Sequence, residues 1–324
     1  MSKTLDGIKQ PIADELDHFE AFFRAAMRSH VPLLDKITHY IVQRKGKQVR
    51  PMFVFFAAKL CGTINDKSFT VASLVELLHT ASLVHDDVVD DANERRGFFS
   101  VNALWKNKIA VLVGDYLLSQ GLSMALASNA HTALQIVSNA VKEMSEGELL
   151  QIEKARRLDI EESVYFEIIR QKTASLIASA CAAGASSTTD DAEIIEKMRL
   201  FGEKIGIAFQ IRDDLFDFGT DDVGKPLGID IKEKKMTLPL IYALSHTDKK
   251  TRDNMIHIVK KHSQQPEKVA EVIDFVRKSN GLQYSEDVML RYRTEAFELL
   301  HQFPPSDVRD GLEQLVIFVT DRKK

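Results

Sequence analysis

The chain of 324 residues contains only two cysteines, Cys61 and Cys181. Both lie among apolar residues without a Cys-x-x-Cys spacing. That excludes a disulfide framework and a cysteine metal site, and it suits buried thiols in a reducing compartment. Proline is scarce too, with eight residues. Several of them, such as Pro32, Pro51, Pro239 and Pro266, stand at segment boundaries. No charge-free apolar run reaches the ~18 residues of a membrane span. The opening Met1-Ser2-Lys3-Thr4-Leu5-Asp6 lacks the apolar centre of a signal peptide, so a cytoplasmic location is expected. Neither sign of charge dominates: 43 Lys and Arg against 47 Asp and Glu leave a net charge of −4. That excludes a general polyanion-binding surface, and no nucleic-acid partner is expected. Internal repeats, low-complexity tracts and the period-two alternation of strands are also missing.

What remains is helix. The stretches 70–83, 108–124, 133–152, 165–185 and 194–218 have helical length and helix-forming residues. The run 70–84 is apolar nearly all round, interrupted only by Glu76 and His79, which marks a helix buried on all sides. The expected fold is all-α: a single domain over residues 1–324, built as a bundle of mostly antiparallel helices around a central cavity. The glycine-bearing segment 219–236 is the best candidate for a functional loop.

Two acidic clusters close the long apolar stretches. One is Asp86-Asp87-Val88-Val89-Asp90 and the other Asp213-Asp214-Leu215-Phe216-Asp217, both of the form Asp-Asp-x-x-Asp. On a helix, Asp86 and Asp90 share one face, as do Asp213 and Asp217. Like charges at that spacing cost roughly 0.2–0.5 kcal/mol per pair, a cost that a cation between them removes. Carboxylate oxygens suit hard cations, and Mg²⁺ completes its shell with substrate phosphate. One such cluster is as readily a solvated helix end. Two of the same form, each ending a buried helix, point to a metal site with two walls.

Basic residues follow the same logic. Arg95-Arg96-Gly97 comes just after the first cluster, and arginine grips phosphate in a bidentate fork. Gly46-Lys47-Gln48-Val49-Arg50-Pro51 could seat a second anion, although a basic surface turn is its commoner meaning. Lys172-Thr173 lies inside an apolar helix, where a lysine needs a partner or a surface position. Gln210 precedes Asp213 by three residues, and Lys225 and Lys235 bracket Asp230. His79 in an apolar helix is ordinarily a satisfied core residue.

In this order and spacing the motifs resemble the trans-isoprenyl diphosphate synthase (polyprenyl synthetase) family, nearly end to end. They include Gly46-Lys47 to Pro51, His79, both acidic motifs, Arg95-Arg96-Gly97, Gly114-Asp115, Gly147-Glu148 with Gln151, Lys172-Thr173, Gln210, and Lys225 through Lys235 to Pro239. The likeness is strongest to bacterial makers of octaprenyl and heptaprenyl diphosphate. The resemblance implies condensation of isopentenyl diphosphate onto an allylic diphosphate. It implies about three Mg²⁺ ions per site, bridging carboxylates and diphosphate. Asp86, Asp90 and Asp213 would be the principal ligands, with Asp87, Asp214, Asp217 and Asp230 in support. Asp86, Asp90, Lys172 and Asp213 would carry catalysis. Arg95, Lys172, Lys225 and Lys235 would hold the allylic diphosphate. Lys47, Arg50, His79 and Arg96 would hold isopentenyl diphosphate, while Thr173 and Gln210 would line the developing cation. A homodimer is implied, and the apolar product suggests peripheral membrane contact on release.

Short-chain members of that family place bulky aromatics four or five residues before the first motif. Here those positions are the small Ser82 and Ala81, with Leu78 one turn further back. One helical turn advances about one isoprene unit, so this pattern favours products of about C30–C40, octaprenyl first, for quinone side chains. A shorter-chain synthase is the alternative. A metal phosphohydrolase would need an upstream histidine pair and would leave Arg95-Arg96 unexplained. A terpene cyclase does not usually carry a second Asp-Asp-x-x-Asp. A non-catalytic partner subunit would have lost its aspartates.

Overall fold

The computed structural model describes residues 5–43, 46, 48–95, 97–158, 161–219 and 227–321. Helices α1 (Leu5–Lys9), α2 (Ala13–Ala26), α3 (Pro32–Gln43), α4 (Val49–Cys61) and α5 (Asp66–Val89) come first. A small hairpin of β1 (Glu94–Arg95) and β2 (Phe98–Phe99) and the short α6 (Val101–Trp105) follow. Next are α7 (Asn107–Ala127), α8 (His131–Arg157), α9 (Glu162–Ile169), α10 (Ser175–Ser186) and α11 (Ala192–Phe216), with a π turn over Arg170–Ala174 joining α9 to α10. The C-terminal part holds α12 (Ile229–Lys232), α13 (Leu238–Ser245), α14 (Lys249–Lys261), α15 (Pro266–Lys278), α16 (Gly281–Leu300) and α17 (Asp307–Thr320).

The two helices that carry the acidic motifs start on side-chain caps. Asn65 caps α5 in a reciprocal capping box with Ser68, and Asp191 accepts the amides of Glu193 and Ile194 at the start of α11. Such caps satisfy backbone donors that the first turn leaves unpaired, typically for about 1 kcal/mol. Helix α10 has no exposed face: every residue from Ser175 to Ala185 is buried. Its Ala, Ser and Gly residues let α4, α8 and α11 approach closely. One apolar cluster fills the space around α4, α5, α7 and α10. A second lies between α9, α13, α14, α15 and α16. Helix α11 contributes to both, through Phe201 and Ile205 in the first and Ile207 and Ile211 in the second.

Two sequence expectations are corrected. The run 165–185 is not one regular helix, because the π turn inserts an extra residue at Lys172-Thr173. Close neighbours hold that bulge: a Cβ on Gly206 would meet Ala174 Cα at 2.4 Å, and one on Gly147 would meet Gln171 Cβ at 2.7 Å. The segment after the first motif is a hairpin rather than helix, with Glu94 opposite Phe99 and Arg95 opposite Phe98. Two-residue strands are too short for any alternation to register. Helix α7 is by length and composition apolar enough to cross a membrane, but Asp115 interrupts it, so it holds no charge-free run of that length. One side of it packs along α5, where Gly121 meets Leu74 and Leu77. Its other side exposes Val111, Leu112 and Leu126.

Candidate active site

Both acidic motifs sit at helix C-termini. Helix α5 ends at Val89 with Asp90 as its C-cap, and α11 ends at Phe216 with Asp217 as its C-cap. The helix dipole is negative there and disfavours carboxylates. Asp86 and Asp90 are exposed, one turn apart, and Asp213 is half-buried. Like-charge repulsion and the dipole therefore act in the same direction, and both are relieved by a cation. Among the described residues no group of three or more His, Cys, Asp or Glu side chains is gathered tightly enough to hold a metal alone. An all-oxygen set spread over two walls still fits a hard cation such as Mg²⁺, which keeps few protein ligands and takes the rest from water and substrate phosphate.

A cavity of about 730 Å³ joins the two walls. Asp87 and Asp213 line it together with Gln48, Arg50 and His79. The first turn of α4 enters it through Gln48, Val49 and Arg50, and a helix N-terminus favours an anion. The cavity thus has an acidic side and a basic side. The rest of its lining combines apolar residues, Phe53, Phe209, Ile177 and Phe318 among them, with Glu76, Thr80 and Ser100. His79 and Asp87 are buried, and Arg50 is half-buried.

The rest of the second motif turns inward. Asp214 is buried, with Oδ2 accepting from Tyr165 Oη at 2.7 Å and Oδ1 accepting from Gln210 Nε2 at 2.8 Å. Thr173 Oγ1 donates to Gln210 Oε1 at 2.8 Å. Burial, followed by the charge of Asp230, pushes the Asp214 carboxyl up to about 8. Asp217 accepts the amides of Ile229 at 2.8 Å and Asp230 at 3.2 Å, so it fastens the start of α12 to the end of α11. Burial and then the Asp217 charge push Asp230 up to about 7. Lys235 Nζ lies 3.8 Å from Asp230 and pairs with Glu233. Burial works against the Lys235 charge, but the Glu233 hydrogen bond and the nearby carboxylates outweigh it and raise its pKa.

Lys172 has the partner that a lysine in an apolar helix requires: Glu148 of α8, itself hydrogen-bonded by Gln151. Leu78 and Ala81 are buried in the main core, and Ser82 is half-buried with its hydroxyl on the His79 carbonyl. None of the three lines the cavity. By helical spacing they follow Leu74 and Leu77 on the side of α5 turned to α7, whereas Glu76, His79, Thr80, Leu83 and Asp87 face the cavity. His85 faces Gly114 and Asp115 of α7, with Nε2 3.4 Å from Asp115 Oδ1. Lys47, Arg96 and Lys225 lie outside the described residues, as does the side chain of Arg95.

Sequence reasoning missed Tyr165 and Asn102. Tyr165 precedes Lys172 by seven residues, and a tyrosine in a buried helix needs a partner for its hydroxyl, which was the available signal. Asn102 is buried, and its amide donates to the carbonyls of Asp87 at 3.2 Å and Ala92 at 3.1 Å, tying α6 to the end of α5 and the turn after it.

The sequence model of the polyprenyl synthetase family matches residues 31–276. The chain is 33% identical to the heptaprenyl diphosphate synthase component 2 of Bacillus subtilis (strain 168), over 96% of this chain and 88% of that protein. It is similar to the polyprenyl synthase of Caulobacter crescentus CB15 solved with calcium and isoprenyl diphosphate, at 31% identity and a TM-score of 0.91, over 100% of this chain and 99% of the other. It is also similar to a geranylgeranyl pyrophosphate synthase from Bacteroides thetaiotaomicron, at 38% identity and a TM-score of 0.84, over 98% of each chain.

Proposed function

The chain belongs to the polyprenyl synthetase family and is a prenyltransferase, and from that premise we propose that it is a long-chain all-trans polyprenyl diphosphate synthase working as a single domain. The observation that carries this reading is one cavity lined by Arg50 and His79 and by Asp87 and Asp213 of the two acidic motifs. Such a cavity suits two diphosphates, one beside cationic side chains and one beside a carboxylate-bound metal.

Arg50 and His79, with Lys47 and Arg96, would hold isopentenyl diphosphate. Arg95, Lys172, Lys225 and Lys235 would hold the allylic partner. The family works with divalent metal ions. About three Mg²⁺ ions, bound by Asp86, Asp90 and Asp213, would supply neutralisation of the charge developing on the leaving diphosphate. The allylic C–O bond breaks with both electrons going to that diphosphate. The isopentenyl double bond then attacks the allylic carbon, and a proton passes from the new chain to the departed diphosphate. Thr173 and Gln210 place oxygen dipoles beside the positive charge, and the apolar cavity wall keeps water from it.

The reading of a long product, about C30–C40 and suited to quinone side chains, rests on the small Ala81 and Ser82 before the first motif, although neither lines the described cavity. The Bacillus heptaprenyl relative supports a long product. The Bacteroides likeness favours a second reading, a geranylgeranyl synthase. One assay separates them: labelled isopentenyl diphosphate is supplied with farnesyl or geranylgeranyl diphosphate and Mg²⁺, and the dephosphorylated product is sized. Chains of about C30–C40 are expected, a C20 product selects the second reading, and no condensation with any primer refutes both.

We further propose a cytoplasmic homodimer that contacts membranes peripherally to unload its product. Val111, Leu112 and Leu126 on α7 are the exposed apolar surface that a second copy would cover. A monomer mass in sedimentation at micromolar concentration would refute the dimer.

A further inference from the structure

We infer that Asp214, together with Tyr165, is a positioning residue that orients Gln210 and Thr173, and not a metal ligand. The inference rests on the synthase reading above. The sequence expectation placed Asp214 among the metal carboxylates beside Asp213. The two side chains differ in direction: Asp213 lines the cavity, whereas Asp214 is 5% exposed and faces Tyr165 of α9.

Each Asp214 oxygen has a protein donor at normal hydrogen-bond length, Tyr165 at 2.7 Å and Gln210 at 2.8 Å. The Gln210 amide is thereby fixed with its nitrogen toward Asp214 and its oxygen toward Thr173. That oxygen takes the Thr173 hydroxyl proton at 2.8 Å. With the Asp214 carboxylate ionised, every hydrogen in this chain of bonds points toward it. The lone pairs of Thr173 Oγ1 are therefore turned away from Gln210, as a group facing a cation requires. Tyr165 holds the far side of the carboxylate, so Asp214 cannot rotate without breaking both bonds. The π turn presents Thr173 to Gln210, and Gly206 lets α11 lie against it. Chains of this kind polarise one another and fail together when one member is changed.

The test uses the full chain. In Asp214→Asn the side-chain nitrogen can no longer accept, so Gln210 or Tyr165 loses its acceptor and Gln210 can turn over. Misplacing a positioned group costs about 100-fold in kcat, and that loss is expected here. Metal binding is read separately, by counting Mn²⁺ bound per chain by electron paramagnetic resonance with inorganic diphosphate present. Asp214→Asn is expected to bind as many ions as wild type, while Asp213→Asn binds fewer. Tyr165→Phe, which keeps the ring, is expected to lower kcat about tenfold at an unchanged ion count.

The double variant Asp214→Asn, Gln210→Glu restores the polarity. The amide nitrogen introduced at position 214 donates to the carboxylate introduced at position 210. That carboxylate still accepts from Thr173, and Tyr165 still has an oxygen to donate to. The double variant is expected to recover at least about tenfold of the lost kcat. Loss of a bound Mn²⁺ in Asp214→Asn, or no recovery in the double variant, overturns the inference. A wild-type chain that binds Mn²⁺ with diphosphate but never condenses refutes the synthase reading instead, and the ion counts still decide the role of Asp214.

Discussion

Gly206→Ala isolates how the π turn is held. The added methyl would stand 2.4 Å from Ala174 Cα, 2.7 Å from Ala174 Cβ and 3.2 Å from Ala174 O. Carbon atoms pack best at about 3.5–4.0 Å, so α11 and the π turn must separate by about 1 Å. The obstacle is backbone and cannot swing aside. Overpacking of that kind costs up to about 3 kcal/mol. Alanine in place of glycine returns about 1 kcal/mol of helix propensity. The net loss is about 2 kcal/mol, or a fall of about 4 °C in Tm at about 2 °C per kcal/mol for a chain this long. Thr173 sits on the displaced turn, so kcat falls as well, by about tenfold. Scanning calorimetry and the condensation assay measure the two effects. Gly121→Ala is the control: its nearest obstacle is the end of a flexible side chain, Leu74 Cδ1 at 3.2 Å, so Tm holds or rises. A Gly206→Ala protein that melts no lower than wild type with unchanged kcat would refute the close-approach argument.

Three other outcomes follow from the geometry. Asp214 and Asp230 hold their protons up to about 8 and about 7, well above the 3.8 of an ordinary aspartate. The folded chain therefore binds more protons than the unfolded one between those values. Their stabilisation is complete at acid pH and is lost as pH rises from about 4 to about 8, so the metal-free Tm of Asp214→Asn should decline less steeply across pH 5–8 than that of wild type; equal slopes refute it. Burial raises the Cys61 thiol to about 12 and raises Cys181 further, so neither should react with Ellman's reagent at pH 8 until guanidine is added, and rapid labelling of the native chain contradicts the packing. Ala81→Phe should shorten the prenyl product, and an unchanged product length would remove Ala81 from the elongation path.

Much of the site was legible because its residues sit at fixed spacings on helices. Asp86 and Asp90 could be paired from the sequence since four residues make one turn. The expense of burying Lys172 announced a partner, although not that Glu148 would supply it. Other features left no local mark. Asp214 and Tyr165 are 49 residues apart, and only the packing of α9 against α11 brings them together. The two Asp-Asp-x-x-Asp motifs look alike in sequence, yet the surroundings of the middle aspartate differ, since Asp87 reaches the cavity and Asp214 does not. A π turn adds one residue to a helix without changing its composition. The chain-length positions were placed by counting along α5, which is blind to the side of the helix that a cavity occupies.

The acidic walls also bear on how the protein is made. The described residues hold no three-ligand cluster, so the fold is expected to form without metal, unlike a zinc finger that collapses only around its ion. Newly synthesised chains can complete their helical core whatever the metal supply, and a chelator should remove activity without lowering Tm. On the proposed reading a diphosphate and a cation would complete each other's coordination, so each would bind more tightly when the other is present. Metal occupancy would, on that reading, track the supply of allylic substrate, and the resting enzyme would sequester little of the cell's divalent pool.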